Sequence, residues 1–248
     1  MLDPISISII TATFLFAGLV KGLVGLGLPV VSLGLLVAIF DLTTAMALLI
    51  MPALFTNLWQ AFSGGNFRRL VNRLWPFLLM ASITVWFGSS ALTKIDLSIL
   101  SMLLGVLLAT YALLSLSGIR FVIKETYEPW AGILLGSVNG ILTGMTGAFA
   151  VPGVMYLQGI GFSRDQLVQA MGLLFCVSTI ALAIALHRHN LLTNETGLVS
   201  AIAVLPALLG MWFGQRLRQR LSEHHFRQVF FVSLLLLGVY IIVKSYSG

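Results

Sequence analysis

The sequence predicts an all-α polytopic membrane protein of two inverted repeats, each a broken or re-entrant helical hairpin followed by three transmembrane helices. Three observations carry this prediction. Mean hydropathy is +1.02 with 9% charged residues, the charges fall between long apolar runs, and apolar words recur in the second half. Soluble domains carry about 25% charged residues, so a soluble protein of 248 residues could not solvate its surface with this composition. The net charge of +6 sits in short loops and reads as a topology signal, which excludes a nucleic-acid partner.

Reading between the charges gives apolar stretches at 5–40, 42–63, 74–93, 97–117, 129–163, 166–187, 196–215 and 228–243. Six of them approach the ~20 residues that cross a bilayer as a helix. The stretches 5–40 and 129–163 would each run about 54 Å as one helix, against a hydrocarbon core of about 30 Å, so each must fold back. Both carry a run of glycines followed by a proline, and Pro29 and Pro152 are the predicted helix breaks. Broken backbone at membrane depth is tolerated only inside protein or along an aqueous cavity. The first run lacks a basic leader and is too long for a cleavable signal peptide. Asp41 and Asp165 each follow an opening hairpin, where a carboxylate would cap the next helix.

Gly18 and Gly22 match Gly136 and Gly140 at an offset of 118, Ala45–Met46 matches Ala170–Met171 at 125, and Trp86–Phe87–Gly88 matches Trp212–Phe213–Gly214 at 126. The preserved order predicts a duplication, with residues 1–124 and 125–248 as its two units. Two loops are strongly basic: one holds Arg68, Arg69 and Arg73, the other Arg216, Arg218, Arg220 and Arg227. They are not equivalent within the repeat, so placing both in the cytoplasm inverts one half against the other and puts both termini outside. Inverted repeats with discontinuous helices are a recurrent build of secondary transporters.

Glycines at spacings of three and four let helices approach closely, the expected role of Gly18, Gly22, Gly136 and Gly140. Gly25, Gly27, Gly144 and Gly147, nearer the prolines, are expected to turn the chain and present N–H groups that attract an anion. Lys21 lies deep in the first hairpin, where a lysine costs about 2.5–3.5 kcal/mol on insertion scales and faces a cavity or partner, or snorkels from a helix end. No carboxylate falls within any stretch to pair with it, so an anionic substrate is the expected counter-charge. The repeat places Asn139 at the equivalent position. Asn57, Thr143 and Thr146 are further candidate hydrogen-bonding residues. Thr56, Gln60, Gln158 and Gln169 could act likewise, or join helices to one another.

These residues carry a resemblance to a known family. The motifs FAGLVKGLVGLGLPVVSLGLL and LLGSVNGILTGMTGAFAVPGVMYL, one heading each half, resemble the glycine-rich motifs of the sulfite exporter TauE/SafE family, and the likeness extends over essentially the whole chain. It differs in detail, since Gly alternates with Leu in GLGLPVV and TGMTGAFAVP has Thr, Ala and Phe among its glycines. The resemblance implies export of sulfite, or of a small organosulfur or carboxylate anion, across a prokaryotic inner membrane.

Cys176 is expected to be a buried apolar side chain, and the histidines His187, His189, His224 and His225 to lie in solvated basic loops. No cofactor or metal is implied, since HExxH, GxSxG and P-loop signatures are missing. The tryptophans near segment ends suit an aromatic belt. The expected function is secondary transport of a small anion by alternating access, with no enzymatic activity. An anion channel or a membrane assembly factor are the alternatives. The partners to consider are the anion, the lipid bilayer, a proton or sodium coupling ion, and a second copy in a homo-oligomer.

Overall fold

The charge-bounded apolar runs become helices whose ends are set by polar caps. The computed structural model describes residues 3–25, 27–118, 122–218 and 223–247, with backbone alone at 223–226 and 247. The helices are α1 (Pro4–Val24), α2 (Leu28–Val37), α3 (Leu42–Phe62), α4 (Phe67–Ile83), α5 (Val85–Ser89), α6 (Leu97–Ser117), α7 (Glu128–Thr146), α8 (Gly153–Gly159), α9 (Arg164–Arg188), α10 (Asn194–Leu217) and α11 (Glu223–Ser247). Among the described residues the fold is all-helical. Among the described residues seven segments are long and apolar enough to cross a membrane: α1, α3, Phe67–Thr93, α6, α9, α10 and Arg227–Tyr246. The first of these is one arm of a predicted hairpin, which is by itself long and apolar enough to cross.

Each overlong stretch does fold back as a long arm and a short one, α1 with α2 and α7 with α8. At 10 and 7 residues, α2 and α8 extend about 15 and 10 Å, well short of a bilayer core. Both breaks fall at the expected glycine-then-proline motifs, with the turn itself made by glycines. In the first hairpin the helix ends at Gly25 (φ +82°) and restarts after Gly27 (φ +117°), backbone that glycine adopts without strain. Pro29 lies in the first turn of α2, where its missing N–H removes no helical bond. In the second hairpin Gly147 (φ +73°) ends α7, and Pro152 is the N-cap of α8.

The N-caps are mostly carboxylates and hydroxyls. Asp3, Asp41 and Asp96 accept from the backbone N–H groups of Ser6, Thr44 and Ser98 at 2.9, 2.9 and 2.8 Å. Asp165, expected as a cap, is instead in the first turn of α9, because Ser163 takes the cap and forms a capping box with Gln166. The histidines also depart from the loop expectation. His187 is in the last turn of α9 with His189 as its C-cap, and the backbone at His224 and His225 is the first turn of α11. Arg220 lies outside the described residues.

Two close-packed seams organise the helices. Gly18 and Gly22 of α1 meet the backbone of Ala207, Met211 and Gly214 on α10, while Gly210 and Gly214 meet Leu15 and Leu19 in return. Gly136, Gly140 and Gly144 of α7 likewise meet Phe77, Ala81 and Val85 of α4 and α5, and Gly88 meets Ile141. A Cβ at most of these glycines would overlap a backbone carbonyl, so they serve approach, as expected for Gly18, Gly22, Gly136 and Gly140. Gly144, expected at a turn, belongs to this seam instead.

The contacts also fix helix directions. α1 runs parallel to α10, and α7 parallel to α4, since ascending residues meet ascending residues. α3 and α9 lie antiparallel. Gln169 of α9 donates to the Ala61 carbonyl of α3 at 2.8 Å, and Gly172 packs against Gln60 and Ala61. α6 and α11 are antiparallel too, with Gly105 against Gly238 and Tyr111 edge-on to Phe231. One face of the bundle therefore gathers the start of α4, α7, α9 and α11 and the end of α1, α3, α6 and α10. That face carries Arg68, Arg69, Arg73, Lys124, Arg164, Arg216, Arg218 and Arg227 beside Glu125, Glu128, Asp165 and Glu223. The opposite face carries Asp3, Asp41, Asp96 and Glu195 with only Lys94, Arg188 and Lys244. The start of α1 and the end of α11 share this second face.

Candidate functional site

Lys21 is the one charged side chain placed deep within a span by the sequence pattern, and it is 3% exposed. Its ammonium donates to Thr56 Oγ1 at 3.3 Å and to Asn57 Oδ1, both on α3. It therefore points into the bundle rather than snorkelling outward. Thr56 can accept because its own hydroxyl proton goes to the Pro52 carbonyl at 2.7 Å. Both partners are neutral, so the lysine charge is solvated but not neutralised. Among the described residues no carboxylate lies within ion-pair reach of it.

Asn57 spends its carbonyl oxygen on Lys21, and its Nδ2 has no partner although the side chain is fully buried. Buried polar atoms without a partner are rare and call for a reason. One residue-turn away, Gln60 Nε2 donates to the Gly25 carbonyl at 2.8 Å and to the Val168 carbonyl at 2.6 Å, leaving its Oε1 unpartnered. Gln60 thus latches the broken end of α1 to the second turn of α9. The adjacent Gln169 accepts from the Asn66 N–H at 3.0 Å while donating to Ala61, which closes the α3–α4 turn over the same region.

At the second break, Asn139 Oδ1 accepts from the Gly153 N–H at 2.9 Å, and its Nδ2 is likewise buried and unpartnered. Thr143 donates to the Ala148 carbonyl at 3.0 Å. Thr146 donates to Leu142 and accepts from the Ala148 N–H. Both threonines therefore shape the loop between α7 and α8. The N–H groups of Gly25 and Gly147, expected to face an anion, instead bond to the carbonyls of Lys21 and Thr143 and close the last turn of their helices.

The candidate residues fall into two clusters. Lys21, Thr56, Asn57, Gln60 and Gly25 form one, and Asn139, Thr143, Thr146, Gly147 and Gly153 the other. Gly27 packs beside Val20 and Phe230, and Gly144 lies in the α7 seam. The antiparallel register of α3 and α9 relates the two clusters in depth. Gln60 and Ala61 stand opposite Gly172, so Asn57 stands opposite the turn of α9 holding Leu174, the residue that packs near Gly153 and Asn139. Each cluster thus holds one buried amide donor without a partner, Asn57 Nδ2 in the first and Asn139 Nδ2 in the second. Cys176 is buried, as expected of an apolar residue, and among the described residues no group of three or more His, Cys, Asp or Glu could hold a metal.

Two features elsewhere in the bundle escaped the sequence pattern. Ser200 of α10 donates to the Leu48 carbonyl at 2.8 Å and accepts from the Met51 N–H at 3.1 Å. The signal for it was Pro52, which has no N–H to offer Leu48 and so leaves a carbonyl in need of a donor. Arg73 grips Glu128 through two parallel bonds of 2.7 and 2.9 Å and also donates to the Ile160 carbonyl, which ties together the starts of α4 and α7 and the end of α8. Nothing in the spacing of residues 73 and 128 announces that pair.

Two comparisons, with curated proteins and with solved structures, give no match. A third is positive: the family model for sulfite exporter TauE/SafE matches residues 10–241, nearly the whole chain. With seven helices able to cross a membrane, this multi-pass protein belongs to the sulfite exporter TauE/SafE family of membrane transport proteins.

Proposed function

We propose that the chain is a secondary transporter that exports a small anion, sulfite or a small organosulfur or organic anion, by alternating access between two inverted repeats, 1–124 and 125–248. The observation that carries this reading is the buried Lys21 charge, held only by neutral oxygens beside the unpartnered Asn57 Nδ2. A buried charge without a counter-charge is costly, and an arriving anion would offset that cost while taking up the free amide donors. The antiparallel α3 and α9 and the reciprocal glycine seams support the inverted duplication. The basic face is read as cytoplasmic because short cytoplasmic loops are enriched in Lys and Arg. Both termini then lie outside a prokaryotic inner membrane. Every carboxylate lies in a connecting segment, at a helix N-cap or in a first turn, so a proton or sodium coupling would run through the ends of the helices or with the anion itself.

The test is flux of sulfite, thiosulfate, sulfoacetate and acetate into proteoliposomes, with Lys21→Met beside the parent and helicity and gel filtration as fold controls. Saturable flux of at least one anion, reduced at least tenfold in folded Lys21→Met, is expected. Equal flux in the variant would remove Lys21 from the site. Flux that does not saturate would select a channel, and no flux under proton or sodium gradients of either sign would overturn transport of these anions.

A further inference from the structure

Beside the Lys21 charge and the Asn57 donor, the first cluster holds an unused acceptor. Gln60 is 7% exposed, and its Oε1 has no partner. The amide cannot be turned to hide this oxygen. Its Nε2 already donates to the Gly25 and Val168 carbonyls at 2.8 and 2.6 Å, where an oxygen would meet only other oxygens. Asn57, three residues earlier on the same face of α3, is fixed in the opposite sense: its Oδ1 accepts from Lys21 and its Nδ2 is the unspent donor. The two free atoms do not bond each other, so neither residue satisfies its neighbour. The Lys21 ammonium has three N–H groups and gives two of them, to Thr56 and Asn57. Within about one 5.4 Å turn of α3, the site therefore has donors to spare, one acceptor to fill and, among the described residues, a single positive charge.

Those three features constrain the ligand. A fully deprotonated oxyanion offers only acceptors, so it would leave Gln60 Oε1 buried and bare beside its own lone pairs, a costly arrangement. A dianion would also exchange one uncompensated buried charge for another of opposite sign. An oxyanion with one protonated oxygen meets every condition. Its charged oxygens accept from Lys21 and Asn57 Nδ2, its hydroxyl donates to Gln60 Oε1, and its single charge balances the lysine. The Cys176 thiol of α9, the other titratable group that interacts with Lys21, adds no second cation. We infer that the Lys21 site selects a monoanion carrying its own hydroxyl, with Gln60 Oε1 as the specificity-determining acceptor. For a sulfur(IV) substrate this is hydrogen sulfite, HOSO2−, and not the sulfite dianion. One proton and one negative charge then cross together, so the proton travels on the substrate without a carboxylate relay. The inference rests on the anion reading of Lys21 and names the protonation state of that anion.

The probes are hydrogen sulfite and methanesulfinate, CH3SO2−, a monoanion of the same shape in which a methyl group replaces the hydroxyl. Both are titrated by calorimetry at mildly acidic pH into the purified full chain in neutral-lipid nanodiscs. The parent should bind hydrogen sulfite at least tenfold more tightly, as a site built to bond a hydroxyl rejects the analogue lacking it. Equal affinities would overturn the proposal without any variant. Gln60→Met, with helicity and gel filtration as fold controls, should weaken hydrogen sulfite at least tenfold and methanesulfinate about threefold or less. Parallel losses of both anions would show that Gln60 acts only as the latch between α1 and α9, and would refute its role in selection. Gly197→Ala, whose Cβ meets nothing within 4 Å, is the control and should match the parent. In proteoliposomes with a pH dye in a mildly alkaline lumen, the potential clamped and protein-free vesicles subtracted, sulfite uptake should acidify the lumen as HOSO2− sheds its proton. Alkalinisation would mean that the dianion is carried and would overturn the proposal. Absent flux, with the tenfold preference and its Gln60 dependence intact, would uphold the site and count against the transport reading alone.

Discussion

The bond network around Pro52 yields a sharp quantitative prediction. A proline inside α3 leaves the Leu48 carbonyl without its helical donor, and Ser200 from α10 supplies one at 2.8 Å while accepting from the Met51 N–H. Ser200 is fully buried, so Ser200→Ala removes two bonds at once and no water can replace them. A buried unsatisfied group costs about 1–3 kcal/mol, while measured interhelical bonds in a membrane protein average only about 0.6 kcal/mol. Two such groups together should therefore cost about 1–3 kcal/mol. Pro52→Ala restores an N–H at position 52 aimed at Leu48, making the serine redundant. In that background Ser200→Ala should cost roughly 0.6 kcal/mol or less, a coupling of about 1 kcal/mol or more. The assay is reversible unfolding in mixed micelles with increasing sodium dodecyl sulfate, run on the parent, both single variants and the double variant. Equal costs of Ser200→Ala in the two backgrounds would show that the serine is not serving the orphan carbonyl.

The glycine seams predict that Gly88→Val, whose Cβ would overlap the Ile141 carbonyl, destabilises by more than the ~1–3 kcal/mol typical of overpacking, because backbone must move; Gly197→Ala in α10, with nothing within 4 Å, should be neutral or stabilising by up to about 1 kcal/mol, both read by the same unfolding assay. Arg73→Gln should cost more than Glu128→Gln, about 1–3 kcal/mol after allowing for the 34% exposure of Arg73, since it strands a Glu128 side chain only 9% exposed. A thermal melt of each variant decides the order. Burial would raise the Asp41 carboxyl, but bonds from Thr43 and Thr44 outweigh it and hold the group below its ordinary value. Its contribution is therefore full above the unfolded carboxylate value near 3.9 and fades as pH falls through the lower folded value. Asp41→Asn should flatten the acid limb of a stability-against-pH curve below about pH 4, and an unchanged limb would refute the cap's role.

Much of the architecture was legible because membrane helices announce themselves by length and charge. Asp41 and Asp96 mark helix starts in the sequence as they do in the fold, and the overlong runs had to fold back on length alone. The glycine-then-proline pattern marked both breaks: Gly25, Gly27 and Gly147 take the positive φ of the turn, Pro152 caps the restarting α8, and only Pro29 falls just inside its helix. Gly144 shows the limit of local pattern. Its sequence context is a turn, yet one more residue of α7 places it against Val85 in the seam. Lys21 was recognisable from the cost of its burial, but Thr56 and Asn57 as its partners are 35 and 36 residues away. Arg73 with Glu128, Gln60 with Val168 and Ser200 with Leu48 span still longer separations, which no local pattern encodes.

On the proposed alternating-access reading, the distribution of bond types sets where the cycle can flex. Along the α1–α10 and α7–α4 seams, backbone packs on backbone through glycines that leave no room for sliding. Between these pairs and the central α3 and α9, by contrast, key joints are side-chain hydrogen bonds from Lys21, Gln60 and Ser200. Packed interfaces switch between discrete arrangements rather than deforming continuously, so the expected motion carries α1 and α10 as one body past α9. Spin labels at the lipid-facing Ile5 and Leu198 sit on the paired helices, and a label at Ile184 sits on α9. Under saturating sulfite the Ile5–Leu198 distance should stay constant while the Ile5–Ile184 distance shifts by several ångströms. A shift within the glycine-locked pair as large as that across the joint would mean the seams are not the rigid units of the cycle.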